Sequence, residues 1–374
     1  MRGRAAIAGL GLTEMGKVYG RSSVSLAVEA VRLALDDAGL EVADVDGLLI
    51  NSGMMTGLDL NVQNQLGFRD LRLLNHMNAW GATAGSMVQF AALAVSAGMA
   101  STVVCVFADT PLAPERRSTD TYSRAQPPTG MRSLWNSYGY VGANPRYALA
   151  ARRHMEVYGT TQEQLGEIAV QTRRWALRNP RAQMKEPLTL EQYHASRWIT
   201  EPFHLYDCCL VSNGGAAVVV TSAERARDLR QPPVYVLGWG QGHPGNSGQR
   251  GSDHGLRTGA ALAGPAALRM AGLELSDVTV CELYDCYTYT VLVTLEDYGF
   301  CEKGEGGPFV ADGRTGPGGS LPVNTGGGFE EWRRGVVAKR CGVAGGVGRQ
   351  VDHGRGPTTR AQWVSRVPPL PLTR

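Results

Sequence analysis

The sequence predicts an α/β protein made of two duplicated halves, with a helical loop domain inserted between them. A repeat, the order of elements around it and a central stretch of different character carry that reading. The segment Ala38-Gly39-Leu40-Glu41-Val42-Ala43-Asp44-Val45-Asp46 recurs as Ala271-Gly272-Leu273-Glu274-Leu275-Ser276-Asp277-Val278-Thr279, offset by 233 positions. Each copy follows an Ala-rich helical stretch and leads into an apolar strand, LLI at 48–50 and VCEL at 280–283. Each half also opens on a short strand ending in glycines, IAGLG at 7–11 and VLGWG at 236–240. Strand, loop, helix, Gly cap, strand is the order of a parallel sheet flanked by helices.

The first half continues with a loop at 75–81, a helix over about 82–98 and a strand at 102–108. The second half is expected to echo that helix and strand. Between the halves, residues 112–205 hold Pro- and Arg-rich loops and two helical patterns, 146–157 and 161–178. The second opens with a capping box in one of two registers, Thr160 with Glu163 or Thr161 with Gln164. The chain returns through CCLVSNGGAAVVVTS, where Gly214-Gly215-Ala216-Ala217 can bring a backbone close to a ligand or to a neighbouring layer. The boundaries that follow are 1–111 with 206–230 for the first half, 112–205 for the insertion and 231–374 for the second half.

Composition fits a globular protein: 374 residues, 43% hydrophobic, with 48 glycines and 7 phenylalanines. The opening MRGRAAIAGLGL lacks a sustained apolar run, and no window approaches a membrane span, so a cytoplasmic location is expected. Seven cysteines form no CxxC pair, which argues against a disulfide framework and a thiolate zinc site, and no metal is expected. The net charge of +3 is uneven: residues 329–374 carry +6 and residues 1–328 carry −3. A mildly acidic body without aromatic and basic interleaving argues against nucleic acid as a partner.

The phrases ARRHMEVYGTTQEQLGEIAV, DCCLVSNGGAAVVVTS, ELYDCYTYTVLVTLEDYGF and VNTGGG, in this order, resemble the thiolase superfamily. They are most similar to the sterol-carrier-protein-type thiolases and the lipid-transfer-protein branch of actinobacterial steroid catabolism. The likeness covers about residues 3–328. It implies a five-layered αβαβα fold and a homodimer built across the first-half sheets. In such thiolases the nucleophile is a cysteine opening a helix, in a Cys-x-Ser/Thr-Gly turn. Aligning that glycine with Gly85 puts the nucleophile position at Ala82, which has no thiol. The acyl-cysteine route therefore lacks its essential group.

Where the sterol-carrier thiolases have His-Asp-Cys-Phe, this chain has Tyr284-Asp285-Cys286-Tyr287, so the family's histidine maps onto Tyr284. The repeat agrees independently, since Tyr284 pairs with Asn51, one residue past the apolar run at the carboxyl edge of the sheet. As a base, a phenol of pKa near 10 needs a positive dipole or donor beside it; as an acid it needs none. Cys286, Tyr287 and Tyr289 are read as packing residues. Asn324-Thr325-Gly326-Gly327-Gly328 is read as an oxyanion or substrate-binding nest, with Asn324, Gly326, Gly327 and Gly328 as candidates. Gly242-His243-Pro244-Gly245 mimics a thiolase motif but follows the first strand of the second half, so His243 is read as a loop residue. Arg152 and Arg153 are read as a solvated helix face.

Past Gly328 the expected helix and strand do not follow. Residues 329–374 scatter Trp, Arg, Gly and Pro without a period of 3.6 or 2. A reading-frame change near codon 329, or a divergent extension, accounts for this, and resequencing the locus decides between them. The second tyrosine that aldolase-like relatives carry beyond the glycine loop has no counterpart in 329–345.

The resemblance, without the cysteine, implies retro-aldol cleavage of a β-hydroxyacyl-CoA, with Tyr284 removing the hydroxyl proton and the nest holding the enolate. It further implies a steroid side chain with a tertiary hydroxyl, a ring ketone and propionyl-CoA as products, and no bound cofactor beyond CoA in the substrate. A small OB-fold and zinc-ribbon partner, forming a heterotetramer with the dimer, is implied as well. Two alternatives stay open: an acyltransferase using Cys105 or Cys286, and a non-catalytic lipid-binding or scaffolding subunit.

Overall fold

A computed structural model describes residues 2–53, 57–115, 129–140, 142–243 and 255–327. The unusual tail from 329, Gly328 and the helix and strand expected after it lie outside the described residues. Six strands form the central sheet: β1 (Ala5–Leu12), β2 (Gly47–Asn51), β3 (Leu73–His76), β4 (Thr102–Asp109), β7 (Gly214–Ser222) and β8 (Val234–Val236), in the order β3-β2-β4-β7-β1-β8. Helices α1 (Ser23–Ala38) and α3 (Thr83–Ser96) cover its opposite faces, and short α2 (Val62–Leu66) packs beside α1.

The strands are buried on both sides, which explains their continuous apolar runs. Leu48, Ile50, Val104, Val106 and Val219 pack in one cluster with α1, while Leu49, Val103, Cys105, Val218 and Val220 pack in another with α3. The sheet is mixed, correcting the parallel expectation. β2 pairs parallel with β3 and β4; β7 enters between β4 and β1 antiparallel to both, and β8 pairs antiparallel with Ala5–Ile7 of β1. Glycine lets β7 pass close under α1, because a Cβ at Gly215 would lie 2.8 Å from the Leu26 carbonyl oxygen.

The duplication is visible in the backbone. Helix α1 ends at Gly39 with φ 74°, and α9 (Ala260–Ala271) ends at Gly272 with φ 59°, both in the left-handed region that glycine permits. Each cap leads to the same short 3₁₀ turn, with Glu41 N–H donating to Asp44 at 2.8 Å and Glu274 N–H to Asp277 at 2.9 Å. Gly9 and Gly11 press against the Ala34 and Ala30 carbonyls of α1, as Gly238 and Gly240 do against Ala267 and Ala263 of α9. The assigned strand near 236–240 is β8, at the edge of the first sheet, and the glycines follow it. Of the 280–283 strand, one parallel bridge is present, Cys281 to Val323.

The segment between β4 and β7 holds α4 (Met131–Ser137), α5 (Asn144–Tyr158), α6 (Gln162–Ala176), α7 (Leu190–Ala195) and a small hairpin of β5 (Trp198–Thr200) and β6 (Phe203–His204). Thr161 with Gln164 is the register adopted at the start of α6. Short α8 (Ala223–Arg227) follows β7, and α10 (Thr288–Tyr298) and α11 (Gly306–Ala311) belong to the second half. Ala151, Leu165, Ile168 and Phe203 share one core with Leu283, Leu292 and Leu295. Inside it, buried His154 bonds Thr160 at 2.8 Å and Glu296 at 3.0 Å, tying α5 to α10. Among the described residues no helix is long and apolar enough to cross a membrane.

Candidate active site

Two loops at the carboxyl edge meet here. After β3 the chain is held by Asn51, whose Nδ2 donates to the Met77 carbonyl at 2.8 Å, and then turns sharply at Trp80, φ 53°. Thr83 fixes that turn: its hydroxyl accepts from Ala79 N–H at 2.8 Å and donates to the Trp80 carbonyl at 2.6 Å. Ala82 follows at the start of α3, exposed. From the second half comes Tyr284, half-buried, whose ring lies directly on Gly81: a Cβ there would be 2.5 Å from both Cε1 and Cζ. The ring thus lies against the residue before Ala82, at the start of α3.

Asn324 is fully buried with φ 50°, and its Oδ1 accepts the Leu283 N–H at 2.7 Å. That bond fixes the amide's orientation, and leaves Nδ2 a buried donor with no partner among the described residues. Thr325 is tied to the same strand through Glu282, by its N–H at 3.2 Å and its hydroxyl at 2.6 Å. Gly326 and Gly327 each make a contact within the protein. Gly327 N–H closes a turn on the Asn324 carbonyl at 2.9 Å, and a Cβ at Gly327, φ 99°, would collide with Ala176 of α6. The Gly326 carbonyl accepts from Asn179 Nδ2 at 2.8 Å. Close approach to α6 therefore explains Gly327, and the buried donor in this loop is the Asn324 amide. Gly328 is outside the described residues.

Burial pushes the Tyr284 phenol well above 10, and nearby Cys286, Cys209 and Tyr147 push the same way. It is a neutral proton holder, and among the described residues no cation lowers it. Cys286 packs in the core, its sulfur 3.3 Å from the Thr290 hydroxyl. Burial raises that thiol to about 11. Cys105 is buried within β4, and burial raises its thiol far beyond neutrality.

Tyr287 and Tyr289 anchor the start of α10, Tyr287 through Asn144 at 2.5 Å and a stack on Phe203, Tyr289 through the Gly255 carbonyl at 2.6 Å. Asp207, buried, accepts from Thr288 at 2.5 Å and from Tyr193 and the His204 N–H at 2.7 Å. Burial raises its carboxyl to about 6, with those bonds opposing. His243 is exposed and meets Gln241 at 3.1 Å, while Arg152 pairs with Glu201 at 2.8 Å; Pro244 and Gly245 are outside the described residues. Tyr147, Asn179 and Asp207 were not singled out from sequence. The i, i+4, i+7 face of Tyr147, Ala151 and His154 is the signal that could have found the first.

A thiolase C-terminal domain-like family matches residues 240–338. The steroid side-chain-cleaving aldolase of Thermomonospora curvata is 41% identical over 340 residues, covering 87% of this chain and 85% of its own. The 17-hydroxy-3-oxo-4-pregnene-20-carboxyl-CoA lyase of Mycobacterium tuberculosis is 39% identical, covering 88% and 87%. A solved structure described as an Ltp2-ChsH2(DUF35) aldolase superposes with a TM-score of 0.78 at 39% identity, covering 88% of this chain and 85% of that one. With relatives of this identity and coverage, the chain belongs to the thiolase-like family that includes the steroid side-chain-cleaving aldolases.

Proposed function

We propose that the protein cleaves the Cα–Cβ bond of a β-hydroxyacyl-CoA by a retro-aldol reaction. The observation that carries this is the Tyr284 ring lying on Gly81, beside Ala82. A neutral phenol suits the reaction as a shuttle: its oxygen receives the β-hydroxyl proton while its own proton passes to Cα as the bond breaks. The transfers balance, yielding a ketone and a shortened acyl-CoA and leaving the tyrosine neutral. This recasts Tyr284 from the base expected from sequence to a bifunctional proton carrier, which its burial favours. Asn324 Nδ2 is the donor for the thioester oxygen as enolate charge develops.

The relatives' names support a steroid side chain as the substrate, with a tertiary hydroxyl, a ring ketone and propionyl-CoA as products. The reaction needs no cofactor beyond the CoA carried by the substrate. We read the protein as a homodimer in the cytoplasm with a small OB-fold and zinc-ribbon partner; of these, it is a partner that the solved aldolase it resembles, described with a DUF35 protein, supports. The test is incubation of the protein, with and without such a partner, with a tertiary β-hydroxyacyl-CoA, following ketone and propionyl-CoA. Release by wild type and its loss by at least about 100-fold in Tyr284→Phe are expected. Equal release by both would remove the phenol from the chemistry.

A further inference from the structure

The Tyr284 ring is braced from both halves of the chain. On its own side, the Leu283 N–H is held by Asn324 at 2.7 Å and Glu282 by the Thr325 hydroxyl at 2.6 Å. From the first half comes Gly81, where a Cβ would lie 2.5 Å from Cε1 and Cζ, the hydroxyl end of the ring. The height of the phenol therefore depends on where that glycine sits. The turn that places it is an unfavourable one. Trp80 has φ 53°, a region that bulky residues rarely adopt, and its side chain is 67% exposed, so packing does little to hold it there. Polar contacts hold it instead. Asn78 Oδ1 accepts the Trp80 N–H at 3.1 Å, and the Ala79 carbonyl accepts the Ala82 N–H at 3.1 Å. Thr83, buried, spans the turn: its hydroxyl accepts the Ala79 N–H at 2.8 Å and donates to the Trp80 carbonyl at 2.6 Å. That carbonyl belongs to the peptide that ends in the Gly81 nitrogen, so the bond orients the backbone on which the ring rests.

We propose that Thr83 is a positioning residue for Tyr284, its hydroxyl clamping the turn that presses Gly81 against the phenol ring. This rests on the aldolase reading above. Thr83 is 4% exposed and acts through the turn, without touching substrate. When the hydroxyl is removed, the Ala79 N–H loses its partner and Trp80 is free to relax toward an ordinary backbone conformation. Gly81 then shifts, and the phenol is no longer held at a fixed height for proton transfer. Asn324, assigned above to the thioester oxygen, stands on the other side of the ring and is untouched. Loss of the Thr83 hydroxyl therefore lowers turnover without weakening substrate binding.

The test has two arms, each on the full chain. In the first, hydrogen–deuterium exchange is read on peptides spanning 77–83 in wild type, Thr83→Val and Thr83→Ser. The Ala79 amide exchanges about tenfold faster in Thr83→Val, the effect of one lost hydrogen bond, and stays protected in Thr83→Ser; this arm needs no turnover. In the second, under the conditions in which wild type releases ketone, Thr83→Val lowers kcat by about tenfold and leaves KM within about twofold. Thr83→Ser, which restores the hydroxyl, recovers most of the rate, and Thr83→Val added to Tyr284→Phe costs nothing further. Thermal melting checks that each variant is folded, and Thr83→Ala replaces Thr83→Val if the latter melts below the assay temperature. Unchanged exchange at Ala79 overturns the clamp. Unchanged kcat in Thr83→Val beside an active wild type, a loss that Thr83→Ser does not recover, or an additive loss on Tyr284→Phe overturns the positioning role. Faster exchange in Thr83→Val beside a wild type that releases no ketone overturns the aldolase reading, and with it the catalytic part of the proposal, while the clamp on Gly81 stands.

Discussion

Replacing Gly81 by alanine tests the site with one methyl group. Gly81 does not have positive φ, so alanine fits the backbone. Its Cβ would lie 2.5 Å from Cε1 and Cζ of Tyr284 and 3.0 Å from Cε2, against ordinary contacts of about 3.5 Å or more. Relief requires the ring, and the hydroxyl it carries, to retreat by about 1 Å. A displacement of that size at a reacting group costs about 100-fold in rate, or about 2.7 kcal/mol of barrier. The overpacking itself costs about 1–3 kcal/mol of stability. The assay is single-turnover ketone release from a β-hydroxyacyl-CoA, with thermal melting to confirm a folded protein. In a Tyr284→Phe background the same methyl should lower the residual rate no further, because the hydroxyl it displaces is already gone. A folded Gly81→Ala protein with the wild-type single-turnover rate would refute the reasoning, since the ring could not then be where the reaction happens.

Other expectations follow from the same geometry. Native-state alkylation with iodoacetamide should leave ketone release intact, since Cys105 and Cys286 are 2% and 7% exposed and burial raises both thiols; activity lost in step with labelling of either would restore the acyl-cysteine reading. Asn324→Ala strips the acceptor from the buried Leu283 N–H and places an ordinary residue at φ 50°, so urea unfolding should show a loss of about 2–3 kcal/mol. A loss below about 0.5 kcal/mol contradicts this. Asp207 holds its proton more tightly folded than unfolded, at about 6 against 3.8. The stability it lends is therefore full below about pH 3.8 and lost as pH rises through about 6, a span of about 3 kcal/mol. The stability of wild type relative to Asp207→Asn should fall by about that amount between about pH 4 and pH 7, and parallel curves would exclude it.

Local signals in the sequence locate local structure well. The Ala38–Asp46 repeat marks two left-handed glycine caps and two matching 3₁₀ turns, and the apolar stretches at 82–98 and 102–108 become α3 and β4. Sheet order was not legible, because β7 joins β4 and β1 only after the long intervening segment, and no periodicity in GGAAVVVTS states its direction. At the site, the repeat led to Tyr284 because each half marks its carboxyl edge with the same register. The roles of its neighbours depend on contacts distant in sequence: Tyr147 with Tyr287, and Asn179 with Gly326. The triple glycine suggested a nest, but Gly327 is glycine where helix α6 passes closest. Only three-dimensional packing distinguishes those two uses of the same residue.

The core joining Leu165, Ile168 and Phe203 to Leu292 and Leu295 bears on how the protein can be recombined with its relatives. The stretch between β4 and β7 looks like an exchangeable cassette, yet it shares one hydrophobic core with residues 281–310. A chimera that swaps the cassette alone splits that core between two parents. One that moves it together with residues 281–327 carries both sides of the seam, along with the bracket that Asn179 places on the glycine loop.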